Sequence, residues 1–411
     1  MIEPAGDRRL RLLVLASTYP RWLGDPEPGF VHELSKRLTG QFEVSVLCPH
    51  AKGAATLGVM EGVQVRRFRY APTSLETLVN SGGIVGNLKR SPWKWLLVPG
   101  FLFAMTWSAM REVRQQRPDV IHAHWLIPQG LVAALLQLFA RKPIPFLVTS
   151  HGADLYALRA PPLQAIKRWV ARRAAAVTVV SHAMQDELDR IGVDAAKVQV
   201  QPMGVDLTVR FTPEPSIERS RDEILFVGRL VEKKGLRYLI EAMPKILQQH
   251  PSAFLTIAGF GPEEVARKAQ FSALGLGTKV QFIGAVGQSE LPALYRRAAM
   301  FVAPFVQATS GDREGLGLVA VEAAGCGCPV IASDLPAVMD VFGNGGAALV
   351  PSGSATDLAD AVCRILSGEV APAGAPADLL ANLRAKFDWD AVASRYGHLL
   401  AGLIRHSDQR G

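Results

Sequence analysis

Short apolar runs, most of them closed by Gly, Pro or Ser and followed by a helical pattern, recur along the chain and constrain its fold more than any other feature. The first, "RLLVLAST" (11–18), leads through the Pro- and Gly-rich loop "YPRWLGDPEPG" into the helical stretch "FVHELSKRL". "FEVSVLCP", "VQVRRFRY", "DVIHAHW", "PFLVTSHG", "AAVTVVS" and "VQVQPMG" continue the series, with helical segments between most of them. Strands that alternate with helices predict a mostly parallel sheet.

The series then pauses. "DLTVRFTPEPSIERSRDE" (206–223) carries two prolines and many polar residues and reads as a linker. A second series follows: "EILFVG", "AFLTIAG", "KVQFIG", "MFVAPF", "CPVIAS" and "AALVP". With 411 residues, the chain exceeds one ordinary core, so two doubly wound α/β domains in tandem are expected. Their ligands should lie at the loops following the carboxyl ends of the strands.

Charge is uneven. Residues 1–200 hold 25 Lys and Arg against 15 Asp and Glu, whereas the remainder hold 20 against 22. The first half should therefore prefer an anionic neighbour, a membrane surface or a phosphate, since the aromatic-rich modules that read nucleic acid are not apparent. The four cysteines, Cys48, Cys326, Cys328 and Cys363, have neither metal-ligand nor disulfide spacing. The opening "MIEPAGDRRLRLLVLAS" lacks the long apolar stretch of a secretory leader, which leaves the cytoplasm as the expected address.

The segment at 88–117, "LKRSPWKWLLVPGFLFAMTWSAMREVRQQR", has an apolar centre only from Trp95 to Trp107, interrupted by Pro99. That is short of the ~20 residues needed to span a bilayer. It is either a helix buried against the first sheet or an interfacial helix, with Lys89, Arg90 and Lys94 near lipid headgroups and tryptophans at its edges.

Three stretches could carry chemistry. In "ILFVGRLVEKKGLRYLIEAM" (224–243) a strand ends at Gly228, and Arg229, Lys233 and Lys234 precede Gly235 at a helix start, an arrangement suited to a diphosphate. "LTIAGFGPEEVARKA" offers Gly259 and Gly261, but Glu264 stands where a dinucleotide fingerprint needs its third glycine, so an NAD(P) oxidoreductase is a poor fit. In "GDREGLGLVAVE" two acids, Glu314 and Glu322, flank Gly315, Leu316 and Gly317, with a short helix expected from near Leu316 to Gly325. Glycines there let backbone N–H groups approach a ligand, and ionised carboxylates accept from vicinal hydroxyls. Taken one at a time, each Glu is explained as a helix N-terminal charge and each Lys as a solvated loop charge. Acids with a separate cationic loop together fit a ligand bearing both hydroxyls and a phosphate.

These residues resemble glycosyltransferase family 4, the retaining sugar-nucleotide transferases of GT-B fold. The likeness runs through "TYPRWLGDPEPGFVHELSKRL", "HAHW", "TSHGADLY", "VVSHAMQDEL", "QPMGVDLTVRFTP", "VGRLVEKKG", "IAGFGP" and the segment from Glu314 to Glu322. It implies a Rossmann-like acceptor domain over 1–205 and a nucleotide-sugar domain over 206–387, facing across a cleft. A last helix over 388–411 would cross back to the first domain. It also implies that Arg229 and Lys234 bind the donor diphosphate, that Glu322 takes the ribose hydroxyls and that Glu314 holds the donor sugar. The backbone of Gly315, Leu316 and Gly317 would contact sugar hydroxyls, with Leu318, Gly228 and Gly261 also at the nucleotide-sugar site. His151 would face the sugar near the reacting centre, with Asp154 nearby. His124 would also meet substrate, although His122 beside it could be the outward-facing member. The N-terminal loop departs from the family's commoner Gly-Gly form, and Gly24 and Gly29 share the expectation of a substrate contact.

The resemblance further implies no cofactor beyond the nucleotide-sugar co-substrate and no metal, fixed cations serving instead. Asp388 and Asp390 spell D-x-D, but read better as a helix start with Trp389 as its tether. The expected reaction moves a hexosyl unit, from a UDP-sugar first and GDP-mannose second, to a glycan or polyprenyl-diphosphate-linked acceptor. A peripheral enzyme at the inner face of the membrane, serving cell-surface polysaccharide assembly, would fit. A non-catalytic sugar-nucleotide-binding protein remains the other reading.

Overall fold

The computed structural model describes residues 8–25, 27, 29–80, 83–139, 142–343, 345–369 and 377–408. The chain divides into two units. One holds the residues up to Val180, Met184–Gly204 and those from Val392 onward; the other holds Ser181–Ala183 and Val205–Ala391.

In the first unit the apolar runs become β1 (Leu10–Leu15), β2 (Phe42–Pro49), β3 (Leu57–Met60), β4 (Val63–Phe68), β5 (Val120–His124), β6 (Phe146–Ser150), β7 (Ala176–Val179) and β8 (Val198–Val200). They form one sheet in the order β3-β4-β2-β1-β5-β6-β7-β8. Every neighbouring pair is parallel except β3 and β4. Leu12, Leu13, Val14 and Leu15 are all buried, as a strand covered on both faces requires.

Strand β3 went unread in the sequence. It joins β4 through a two-residue turn, Glu61 and Gly62, whose φ angles of 45° and 83° match the right-handed twist of a hairpin. Because Leu57, Gly58 and Val59 are exposed, the strand shows none of the burial alternation that marks the others.

The second unit contains β9 (Glu223–Val227), β10 (Phe254–Ala258), β11 (Val280–Gly284), β12 (Met300–Ala303), β13 (Val330–Ser333) and β14 (Ala348–Val350), all parallel in the order β11-β10-β9-β12-β13-β14. The helix Leu236–Gln249 buries Leu236, Leu239, Ile240, Met243 and Ile246, spaced three and four apart, in a core with Ile224, Phe226, Leu255 and Ile257. Each such burial stabilises by roughly 1.5–3 kcal/mol. This core fixes the end of β9, from which the cationic loop starts.

The stretch at 206–223 is no free linker. Leu207 and Phe211 are buried, and the Arg219 guanidinium donates to the carbonyls of Tyr295, Ala298 and Gly327, so this segment is part of the second unit. At the other end, Asp388 accepts from the N–H groups of Asp390 (3.0 Å) and Leu207 (3.1 Å) and so starts the helix Trp389–Asp408. From Val392 that helix belongs to the first unit. There the Tyr396 hydroxyl donates to the Gln201 carbonyl at 3.1 Å, and its ring stacks on His122 with centroids 5.4 Å apart.

Candidate active site

In the second unit a backbone contact brings two loops together. Gly235 closes the loop after β9 with φ 68°, and a Cβ there would stand 1.6 Å from the carbonyl oxygen of Pro304, at the end of β12. No other residue tolerates both the angle and the distance. The loops are then tied by side chains. The Glu232 carboxylate accepts from the N–H and hydroxyl of Thr309 (2.9 and 3.0 Å), Lys233 pairs with Asp312 (3.3 Å), and the Val306 N–H donates to the Lys233 carbonyl (2.9 Å).

Within this clasp Lys234 and Glu314 meet. Lys234 Nζ lies 2.8 Å from Glu314 Oε2 and 4.7 Å from the centre of the Phe305 ring. Gly317, with φ 82°, passes so close to that ring that a Cβ would stand 2.8 Å from it. Phe305 is thus a floor for both the cation and the Gly315–Gly317 turn. Burial pushes the Glu314 carboxyl up, but the attraction of Lys234 and Lys233 wins and holds it at about 2.

Glu322 has the opposite character. It sits in the helix Leu318–Gly325 with 7% exposure, and its Oε2 accepts from the Tyr295 hydroxyl at 3.0 Å. Burial raises its carboxyl to about 7, against the lowering effect of the Tyr295 hydrogen bond and of Lys234. The two acids that look alike in sequence are a fixed anion and a carboxyl poised near neutrality.

Gly259 and Gly261 have backbone reasons of their own, with Gly228 and Leu230 as the neighbours they meet. A Cβ on Gly259 would stand 1.9 Å from the Gly228 carbonyl oxygen, and one on Gly261 would stand 2.5 Å from that of Leu230. These glycines seat the loop after β10 on the loop after β9, which explains "GFG" without a dinucleotide. Arg229 belongs to the same cationic loop, after β9.

In the first unit three histidines gather at the ends of β5 and β6. His122 and His124 share one face of β5, as a period of two demands, with ring centroids 4.1 Å apart, so neither is the outward member. His124 is 1% exposed; its Nδ1 lies 2.9 Å from Nε2 of His151. It therefore backs His151 and is not placed to touch substrate itself. His151 is half-buried, between Phe30 (4.8 Å) and Trp125 (5.0 Å). Burial holds the His122 and His151 rings down at about 3, so both are neutral at pH 7. Trp125 holds a φ of 78°, a strain that a non-glycine residue seldom bears.

Asp154 is also buried. Its carboxylate accepts from the Leu126 N–H (2.6 Å) and the Ser150 hydroxyl (2.8 Å), so it shapes the loops around His151 and does not face a ligand. In the N-terminal loop the bidentate pair of Arg21 and Asp25 closes a turn at Gly24, whose φ of 81° calls for glycine. Gly29 directly precedes the helix Phe30–Leu38, which supplies the ring beside His151.

The segment at 88–117 forms a turn over Pro92–Leu96 and the helix Leu97–Gln116. One face is core, with Phe101, Met105 and Ala109 buried. The other shows Trp93, Trp95 (57%), Leu96 (81%), Phe103 (72%) and Trp107 exposed, the last two stacked. The buried-helix reading therefore holds for one face, and the other leaves a row of aromatic and apolar side chains exposed. No helix among the described residues is long and apolar enough to cross a membrane.

Tyr295, Phe305, Phe30 and Trp125 escaped the sequence reading, and Gly235, read there as a helix start, gave no sign of its contact with Pro304.

Two family models match the chain: "Glycosyltransferase Family 4" over residues 30–209 and "Glycosyl transferases group 1" over 211–384. Glycogen synthase of Mycobacterium tuberculosis is 28% identical over 94% of this chain and 93% of its own length. GDP-mannose-dependent alpha-(1-6)-phosphatidylinositol monomannoside mannosyltransferase of the same organism is 30% identical over 71% of this chain and 79% of its own. Among solved structures, sucrose-phosphate synthase from Thermosynechococcus elongatus superposes with a TM-score of 0.76 at 23% identity, covering 97% of this chain and 100% of that one. Anabaena HepE in complex with UDP-glucose gives 0.71 at 18% identity, covering 96% and 100%.

Proposed function

The chain belongs to glycosyltransferase family 4, with the two α/β units of the GT-B fold, and from that premise we propose that it moves a hexosyl unit from a nucleoside diphosphate sugar to an acceptor hydroxyl with retention at the anomeric carbon. The observation that carries this reading is the clasp at Gly235 and Pro304, which sets Lys234, Glu314 and the Gly315–Gly317 turn around one point. A UDP-sugar is the first choice of donor, in keeping with HepE, and GDP-mannose the second, in keeping with the mannosyltransferase.

In this reading Arg229 and Lys234 take the diphosphate, Glu322 the ribose hydroxyls, and Glu314 with the Gly315–Leu318 backbone the sugar. The bond from the anomeric carbon to the phosphate oxygen breaks, the two cations stabilise the departing charge, and that oxygen receives the acceptor's proton as the new bond forms on the same face. A double displacement would need a carboxylate nucleophile on the opposite face. Glu314 is engaged by Lys234 and is not assigned that role. Fixed cations make the transfer metal-independent in this scheme. His151, neutral and half-buried, meets the donor sugar.

The acceptor in this proposal is a lipid-linked glycan, used at the inner face of the membrane by a peripherally bound enzyme of polysaccharide assembly. Two features support it: the excess of 25 basic over 15 acidic residues in 1–200, and the aromatic face of Pro92–Gln116 beside Lys89, Arg90 and Lys94. The test is a panel of nucleotide sugars scored by thermal shift and by nucleotide released with a polyprenyl-diphosphate glycan. One donor giving both signals supports the reading; binding without turnover on any acceptor would favour a sensor.

A further inference from the structure

The contact between His124 and His151 has a direction that the surroundings determine. Two neutral imidazoles share one proton across the 2.9 Å between His124 Nδ1 and His151 Nε2, so one ring donates and the other accepts. His124 Nε2 is buried without a hydrogen-bond partner. Were His151 the donor, His124 would carry its own proton on Nε2, and a buried N–H would be left unpaired. Were His124 the donor, only a ring lone pair would be left there. Orphaned buried N–H groups are the rarer and costlier outcome.

The neighbouring histidine follows the same rule. His122 Nε2 lies 2.7 Å from the Thr149 hydroxyl, which lies 2.6 Å from that of Thr178, while His122 Nδ1 is buried without a partner. A proton on Nε2 of His122 pairs the only N–H of that ring and again leaves a lone pair as the orphan. Phe30 and Trp125 confine the His151 ring from its other sides.

We propose that His124 is a positioning residue, which donates from Nδ1 to Nε2 of His151 and thereby fixes His151 as the Nδ1–H tautomer. His151 then presents an N–H, not a lone pair, to whatever oxygen lies beyond it. On the reading that His151 meets the donor sugar, it is a neutral hydrogen-bond donor to a sugar oxygen and does not act as a general base.

The test is histidine ¹⁵N–¹H correlation spectroscopy on the full chain at neutral pH, with the His151 signals assigned by their loss in His151→Gln. Wild type should show His151 protonated on Nδ1. His124→Phe should turn it to the commoner Nε2–H form and lower kcat by about tenfold or more with little change in KM for the donor. His124→Asn, whose amide places a donor near the Nδ1 position, should restore the tautomer and most of the rate. An Nε2–H His151 in wild type, or His124→Asn no better than His124→Phe in a folded protein, would overturn the proposal. The spectroscopic arm needs no turnover, so a chain that transfers no sugar would sink the functional reading and leave the tautomer assignment standing.

Discussion

Lys234 Nζ and Glu314 Oε2 lie 2.8 Å apart, joined across two loops that are remote in sequence. A cation assigned to a phosphate and an acid assigned to a sugar thus begin as each other's partner. On the proposed assignment, a donor competes with Glu314 for the ammonium.

Removing that competition separates binding from turnover. Glu314→Gln should tighten a nucleoside diphosphate without its sugar by roughly tenfold, about 1.4 kcal/mol, while lowering kcat by about 100-fold or more. Calorimetric titration and nucleotide release measure the two effects. Weaker nucleotide binding in the variant would refute the competition.

Gly235 should be irreplaceable for a steric reason. Gly235→Ala puts a Cβ 1.6 Å from the Pro304 carbonyl oxygen at a φ of 68°, so the loop must move. A loss of roughly 2–4 kcal/mol in the second unit is expected, with donor binding impaired alongside it. Urea unfolding followed by nucleotide titration reads both, and a neutral substitution would show that the contact opens freely.

The raised carboxyl of Glu322 predicts a pH dependence of stability. Its value of about 7 in the fold lies above its ordinary 4.5, so the folded chain binds the proton more tightly than the unfolded one. Its contribution is full below 4.5 and is lost as pH rises through 7. Glu322→Gln cannot ionise and should be more stable than wild type above pH 7 by roughly 1–3 kcal/mol, seen as a higher melting temperature, with less difference at pH 5. A difference in melting temperature that does not grow between pH 5 and pH 8 would count against a buried, titrating Glu322.

The aromatic face of Pro92–Gln116 can be tested without any acceptor. Sedimentation with vesicles of phosphatidylglycerol in phosphatidylcholine should pull down the chain, and Trp95→Ser with Phe103→Ser and Trp107→Ser should weaken binding by about tenfold or more. Replacing Lys89, Arg90 and Lys94 by Ser should act chiefly at low salt. Vesicle binding unchanged in both variants rules out this face.

How much of this could be read from sequence depends on where each feature gets its energy. The parallel strands were legible because a strand buried on both faces must be an apolar run, as "FEVSVLCP" is at Phe42–Pro49. The exposed hairpin strand Leu57–Met60 lacks that requirement and left only its Glu61–Gly62 turn as a sign. The acids of "GDREGLGLVAVE" stood out by spacing, yet their protonation did not. It is set by the fold, through Lys234 on the loop after β9 for Glu314 and through burial beside Tyr295 of the helix Leu291–Arg297 for Glu322. His122 and His124 needed only the strand's period of two, since residues two apart cannot face opposite ways.

For anyone redesigning donor preference, the contact of Gly235 with Pro304 draws a boundary. Backbone atoms meet there with no side chain between them, so neither loop can be lengthened or re-angled at that point without displacing the other. The span from Ala308 to Arg313 is different. Side-chain ties hold it, through Thr309 to Glu232 and Asp312 to Lys233, and ties of that kind can be exchanged pair by pair. Libraries that vary this span while sparing the glycine keep the two loops joined and change only the side chains beside Glu314.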